Sequence, residues 1–492
     1  MRYNNVMKKS WIITMFLFVV ALINSCSDDD SFTLSQTNLL TFSTDTVKLD
    51  TVFSNVPTPT KTFWVFNHSG DGIRCVNVRL ERGNQTGFRV NVDGTYLGET
   101  SGFQTSNVEI RNKDSIRVFV ELTSPLNYQE GPVNWQDNLL FTLESGVVQK
   151  VALSAFTWDA VFLNDLHVKG EQTLSGEKPI VVYGGITVDS AATLTINKGT
   201  TLYFHNDAGI DVYGRLLCKG EADANITLRG DRIDRMFAYL PYDNVSGQWK
   251  GIRFHESSYC NQMAYTDIHS TYDGVVVDSC DVGRSTLEMN ACTVHNCQGF
   301  GVKAVHCQMS LTNCQLTNTL GDCLYVEGGD VKVASCTLAQ FYPFDSNRGV
   351  ALRIRAIDAP LAFECMNSLV TGYADDELMG ERADTTLQFD YHFSHCVLRT
   401  PQVKTADSVR FVNVVFENPK DTTGTGRRHF LKFDTDNLQY DFRLDSVSVA
   451  IGKADPTTCP ATDRNGLTRD EKPDVGAYEY VGKSIKENLI NN

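Results

Sequence analysis

The stretch that decides the fold runs from residue 285 to residue 340. There Leu287-Glu288-Met289-Asn290-Ala291-Cys292-Thr293-Val294, Met309-Ser310-Leu311-Thr312-Asn313-Cys314-Gln315-Leu316 and Val331-Lys332-Val333-Ala334-Ser335-Cys336-Thr337-Leu338 repeat one template at a spacing of 22 residues. Apolar residues fill its first, third, sixth and eighth places. Alternation on both sides of a two-residue corner is what two short strands produce when one face is buried. Looser copies are Met263-Tyr265-Ile268, Phe363-Cys365-Ser368-Val370, Tyr391-Phe393-Cys396-Leu398 and Val409-Phe411-Val414-Phe416. The residue before the third apolar place reads Asp267, Ala291, Asn313, Ser335, Asn367, His395 and Asn413, mostly short polar types suited to a bend.

A further strand follows in each repeat. Aligning Gly274, Gly299, Gly321 and Gly349 stacks Val277, Val302, Leu324 and Leu352 inward, with Ser279, Ala304, Val326 and Ile354 two residues on. Three short strands per 22 residues predict a parallel β-helix, in which no coil buries its apolar side alone. Cys292, Cys314 and Cys336 then fall at equivalent inward sites, which predicts a buried thiol column and not disulfides.

Working outward, residues 192–204 and 209–220 alternate strictly between Gly-marked turns. With Ile226-Thr227-Leu228 and Gly247-Gln248-Trp249-Lys250-Gly251-Ile252-Arg253-Phe254, this block is similar to the first coils of right-handed parallel β-helix lipoproteins of the pectate-lyase-like superfamily. Residues 463–470 and 473–479 resemble the closing segment of that family. The resemblance covers 160–482, and the right hand comes from it and from the general handedness of parallel crossovers. Residues 36–157 differ: short alternating strands such as Lys61–Phe66 and Ile116–Val120 lack the 22-residue period and predict an all-β, immunoglobulin-like sandwich.

At the N-terminus Lys8 and Lys9 precede a 13-residue apolar run, Trp11 to Ile23, which is too short to span a bilayer core of roughly 30 Å and reads as an export signal. Leu22-Ile23-Asn24-Ser25-Cys26 resembles the lipobox of bacterial lipoproteins, which implies diacylation of Cys26. Ser27-Asp28-Asp29-Asp30 resembles the export signal of Bacteroidota-type lipoproteins and implies the outer face of the outer membrane. The expected layout is therefore a signal peptide at 1–25, an acidic linker at 26–35, the sandwich at 36–157, the β-helix at 158–455 and a closing segment with its tail at 456–492. A net charge of −15 argues against nucleic acid as a partner, since that affinity comes from Lys and Arg on phosphate.

Signals for chemistry are few. No phosphate loop, zinc helix or nucleophile elbow is present, and the sequence points to no metal and no cofactor. Asp375 and Asp376 form the acidic pair within a coil loop and are the candidate catalytic residues if the chain is a lyase or hydrolase. The outward column Asp278, Lys303, Tyr325 and Arg353, flanked by Arg355, predicts a shelf whose arginines suit the carboxylates of an acidic polysaccharide. Non-catalytic binding of glycans or partner surfaces is the favoured expectation. A polysaccharide lyase or glycoside hydrolase with a divergent site is the alternative, resting on fold analogy.

Overall fold

The computed structural model describes residues 31–237 and 239–482. The signal segment, Cys26 and the acidic triplet lie outside the described residues. Contacts divide the chain into two units between Trp158 and Asp159.

The first unit is a β-sandwich. One sheet holds Leu40–Phe42, Lys61–Asn67, Ser115–Leu122, Phe88–Val92 and Thr95–Tyr96, and the other is built on Thr46–Phe53, Val148–Trp158, Val133–Leu143 and Ile73–Leu80. Pairing is antiparallel except where Thr46–Phe53 runs parallel to Val148–Trp158. Alternate residues such as Phe63, Val65, Val118, Val120, Leu139 and Phe141 fill the space between the sheets. Cys75 lies in this core, where burial pushes its thiol up to about 12.

The second unit is a right-handed parallel β-helix whose 26 strands hydrogen-bond coil to coil. Its first face includes Ile252–Phe254, Val275–Val277 and Leu352–Ala356. The second includes Asn261–Ala264, Ser285–Asn290 and Leu361–Met366, and the third Thr266–His269, Thr293–Cys297, Gln315–Thr319 and Thr337–Gln340. Val302–Thr312 and Leu324–Ala334 run continuously from the first face onto the second. Between the second and third faces the chain turns through a left-handed residue in seven successive coils: Tyr265, Ala291, Asn313, Ser335, Asn367, His395 and Asn413 all have φ between 45° and 53°.

Two registers differ from the sequence reading. In the coil before the clear repeats the inward places belong to Asn261, Met263, Thr266 and Ile268, so Tyr265 makes the corner and Asp267 points outward opposite Thr293. A buried Asn hides this register. Asn261 Oδ1 accepts from the Leu216 amide at 2.7 Å and its Nδ2 donates to the Thr286 carbonyl at 2.9 Å, so the place is polar yet satisfied. On the first face Val275, and not Val277, stacks on Val302. The aligned glycine is Gly301, where a Cβ would sit 2.5 Å from the Cys323 carbonyl of the next coil. Ladder contact, not glycine count, sets the register. Asp278 therefore leaves the shelf column, which reads Val276, Lys303, Tyr325 and Arg353.

Cys292, Cys314 and Cys336 are buried free thiols in successive coils. The backbone amide of Cys314 donates to the sulfur of Cys336 at 3.3 Å.

Candidate functional site

Two outward columns cross the third face. One carries Thr227, Asp267, Thr293, Gln315 and Thr337, and the other His269, His295, Thr317 and Ala339. From Thr337 onward this face turns apolar and is sealed. Ala339, Leu369 and Val397 pack beneath Phe430, Phe442 and Leu444 of the hairpin formed by Phe430–Asp434 and Gln439–Leu444, and beneath Val475, Ala477 and Tyr478 of the closing segment. Over the earlier coils these C-terminal elements stand off from the face and leave a cleft of about 990 Å³.

Its floor carries Asp267, Thr293, His295, Gln315, Thr317 and Asn318, and its walls Tyr440, Arg464 and Tyr478. The floor groups are chained together: Tyr478 Oη donates to Gln315 Oε1 at 2.6 Å, and Gln315 Nε2 donates to Thr317 Oγ1 at 3.1 Å. Arg464 braces the wall, giving Nε to Thr293 Oγ1 at 3.2 Å and Nη2 to Asn225 Oδ1 at 2.9 Å. Two polar atoms of the lining, Asn318 Oδ1 and Tyr440 Oη, are shielded from solvent without a protein partner. An unpaired buried polar atom costs roughly 1–3 kcal/mol.

At one end of the cleft sits a cluster of acids and histidines. His269 Nδ1 lies 2.6 Å from Asp267 Oδ1 and its Nε2 lies 2.9 Å from Asp243 Oδ1, while His295 Nε2 is 3.3 Å from the same Asp267 oxygen. The two imidazoles stack with centroids 4.7 Å apart. Arg229 Nη2 shares that Asp243 oxygen at 2.7 Å. Burial works against the His269 imidazolium, but the Asp267 charge and the hydrogen bonds to Asp243 and Asp267 outweigh it and hold the ring up at about 9. Burial likewise opposes ionisation of Asp267, and the two histidines overcome it, holding that carboxyl well below the usual range. Sequence reading missed this cluster. The signal was His269 and His295 at matching places of adjacent coils, visible only once Tyr265 is assigned to the corner.

The residues expected to form the shelf do meet on the first face. Their charges are engaged with one another. Arg353 Nε donates to Asp322 Oδ2 at 2.7 Å, and Arg355 bonds Tyr325 Oη at 2.6 Å, Glu327 at 3.1 Å and Glu381 at 2.9 Å. Tyr325 is only 8% exposed and also donates to Glu327, while Lys303 Nζ stands 5.6 Å from its ring centroid. Asp375 is exposed at the end of a bend and Asp376 beside it is half-buried, its Oδ1 accepting from the Leu378 amide at 3.2 Å. The perturbed acid there is their neighbour Glu377, fully buried and pushed up to about 8 by that burial despite amide donors from Ala374 at 2.7 Å and Ala351 at 2.9 Å.

Comparison with curated proteins finds no match. Among solved structures, the chain is similar to a family 123 glycoside hydrolase from Clostridium perfringens at 9% identity and a TM-score of 0.17, covering 24% of this chain and 25% of that one. It thus spans a quarter of that protein's length. It is also similar to the Agl-KA catalytic domain, at 11% identity and a TM-score of 0.19 over 69% of this chain and 81% of that one. A thermostable GH87 alpha-1,3-glucanase from Streptomyces thermodiastaticus strain HF3-3 gives 9% identity and a TM-score of 0.14 over 74% and 90%. Likenesses this distant assign no activity. The family described as right handed beta helix region matches residues 178–350, the coils that carry the repeat, the thiol column and the floor of the cleft.

Proposed function

We propose that this chain is a lipid-anchored protein of the outer-membrane surface whose β-helix binds a glycan without cleaving it, with the third-face cleft as the binding site. The observation that carries the reading is a cleft of about 990 Å³ lined by hydroxyl, amide and charged side chains, among them Asn225, Thr293, Gln315, Gln439 and Asn465. Sugar hydroxyls donate and accept at once, which suits such a lining. The acids near the cleft are committed as ion-pair acceptors: Asp243 to Arg229, Asp267 to two histidines, Asp441 to Arg443 and Glu479 to Arg469. That arrangement favours holding over proton transfer. Anchoring through Cys26 rests on the lipobox-like ending and the acidic triplet.

The test is retention of the purified protein on immobilised neutral and uronate-bearing polysaccharides, with reducing ends and unsaturated products monitored in parallel. Gln439→Ala and Asn465→Ala, both exposed in the lining, are expected to weaken retention at least tenfold and to leave the melting temperature unchanged. Retention that survives both substitutions but disappears in Tyr325→Ala with Arg353→Ala moves the site to the first-face shelf. Appearance of new reducing ends or unsaturated sugars makes the protein an enzyme and overturns the binding reading.

A further inference from the structure

The cluster at the end of the cleft has the composition and spacing of a metal site. Asp267, His269 and His295 each offer one ligand atom, and these atoms lie within 4.8 Å of one another. Around a tetrahedral zinc with bonds of about 2.0–2.1 Å, neighbouring donors stand about 3.3 Å apart. The separation of His295 Nε2 from Asp267 Oδ1 is 3.3 Å, and that of His269 Nδ1 from the same oxygen is 2.6 Å, so a small rotation of one side chain opens the second edge. The geometry points to a binding site for a single divalent transition cation of the zinc type, held by Asp267, His269 Nδ1 and His295 Nε2, with its fourth position open to the cleft.

Three further observations support it. His269 Nε2 donates to Asp243 at 2.9 Å, and Arg229 in turn holds Asp243 at 2.7 Å. A carboxylate on the far nitrogen is how metal-bound imidazoles are oriented, and it leaves Nδ1 as the coordinating atom. The ligands come from adjacent strands of a rigid ladder, Asp267 and His269 from one coil and His295 from the next, so the backbone fixes their spacing. Two of the three, Asp267 and His295, line the cleft, so the open position faces the space a guest would enter. The site stands independently of glycan binding, because the metal alone is the probe.

The experiment uses the full chain, stripped with chelator and titrated with Zn²⁺ by calorimetry and with Co²⁺ by absorption spectroscopy. The expected result is one ion per chain, a tetrahedral cobalt spectrum of nitrogen and oxygen ligands, and a rise in melting temperature with zinc. His295→Gln and Asp267→Asn should each weaken binding at least a hundredfold. Asp243→Asn should weaken it about ten- to a hundredfold, the range found for orienting carboxylates. His255→Gln, at the end of the first-face strand Ile252–Phe254, should leave it unchanged. Circular dichroism of each metal-free variant checks that it is folded. Failure of the wild-type chain to bind either ion, unaltered binding in folded His295→Gln and Asp267→Asn, or a thiolate-to-cobalt charge-transfer band placing the metal on a cysteine would each overturn the proposal.

Discussion

At six of the seven left-handed corners, Asn413 with its Val414 excepted, the side chain that follows does two jobs, and its chemistry explains why cysteine recurs there. Each points inward and also donates to the carbonyl two residues earlier: Thr266 to Ala264 at 3.0 Å, Cys292 to Asn290 at 3.4 Å, Cys314 to Thr312 at 3.3 Å, Cys336 to Ala334 at 3.3 Å, Ser368 to Met366 at 2.7 Å and Cys396 to Ser394 at 3.3 Å. Cysteine is small enough for the core and still carries a weak donor. Cys314→Ser should therefore be tolerated, Cys314→Ala should cost about 1 kcal/mol for the lost bond, and Cys314→Phe should cost roughly 1–3 kcal/mol or more by overpacking. Urea unfolding ranks the three, and equal small effects would contradict the column. Glu377 gives a second test. Its carboxyl is pushed up to about 8 by burial, against 4.5 when unfolded, so between those values the native state keeps a proton that the unfolded chain has lost. Stability therefore falls as pH rises through that window, and Glu377→Gln, a mimic of the neutral acid, should flatten the fall. The difference between the two proteins should grow by at most ~1.4 kcal/mol per pH unit from pH 5 to 8. Parallel stability curves would show that Glu377 is ionised in the native protein.

At the scale of elements, the left-handed corners also dock the closing segment. Asn313 gives Nδ2 to the Thr462 carbonyl at 2.8 Å and accepts from Arg469 Nη2 at 3.1 Å. Asn367 does the same two coils further along the corner column, with its Oδ1 taking the Asp455 amide at 2.8 Å and its Nδ2 reaching Thr458 Oγ1 at 3.1 Å. Asparagine tolerates the left-handed backbone and keeps an amide free for this second task. Asn313→Gly should keep the corner but lose the docking bonds, at about 1–3 kcal/mol, and Asn313→Ala should lose roughly 1 kcal/mol more to backbone strain. Hydrogen exchange at the Arg464 and Ala477 amides, which pair with each other's segment at 2.8 Å or with Thr337 at 3.0 Å, reads the loosening directly. Unchanged protection in both variants would mean that the apolar contacts alone hold the segment. These corners were legible in the sequence wherever the inward places were apolar. They slipped by two residues where a hydrogen-bonded Asn261 took an inward place, and the first-face register slipped by two where a shorter turn at Gly274 broke the glycine spacing. Alternation reports burial, and a buried amide with all its bonds made is silent to it.

For the whole molecule, the solenoid was readable because each coil repeats the constraints of the last, whereas the cleft was not, because its walls come from far along the chain. Arg464 meets Asn225 across 239 residues and Thr293 across 171, and no local period encodes such a meeting. The shelf, by contrast, was read from local alternation, which reveals direction but not that Asp322, Glu327 and Glu381 consume its arginines. Location is a property of the chain's first residues and is tested there. If Cys26 carries the anchor, membrane attachment comes from acyl chains, each buried methylene adding roughly 0.8 kcal/mol, and not from the ectodomain, whose acidic character disfavours an anionic surface. Cys26→Ala should then shift the protein from the membrane fraction to the soluble one with its melting temperature unchanged. Protease added to intact cells should remove the wild-type ectodomain. Replacing Asp28, Asp29 and Asp30 together by Ala should leave it membrane-bound but protected, because anchoring and surface display are then separate instructions. Cys26→Ala that stays with the membrane would refute the anchor. A wild-type chain that resists protease on intact cells would refute the outward orientation while leaving the fold and the cleft as described.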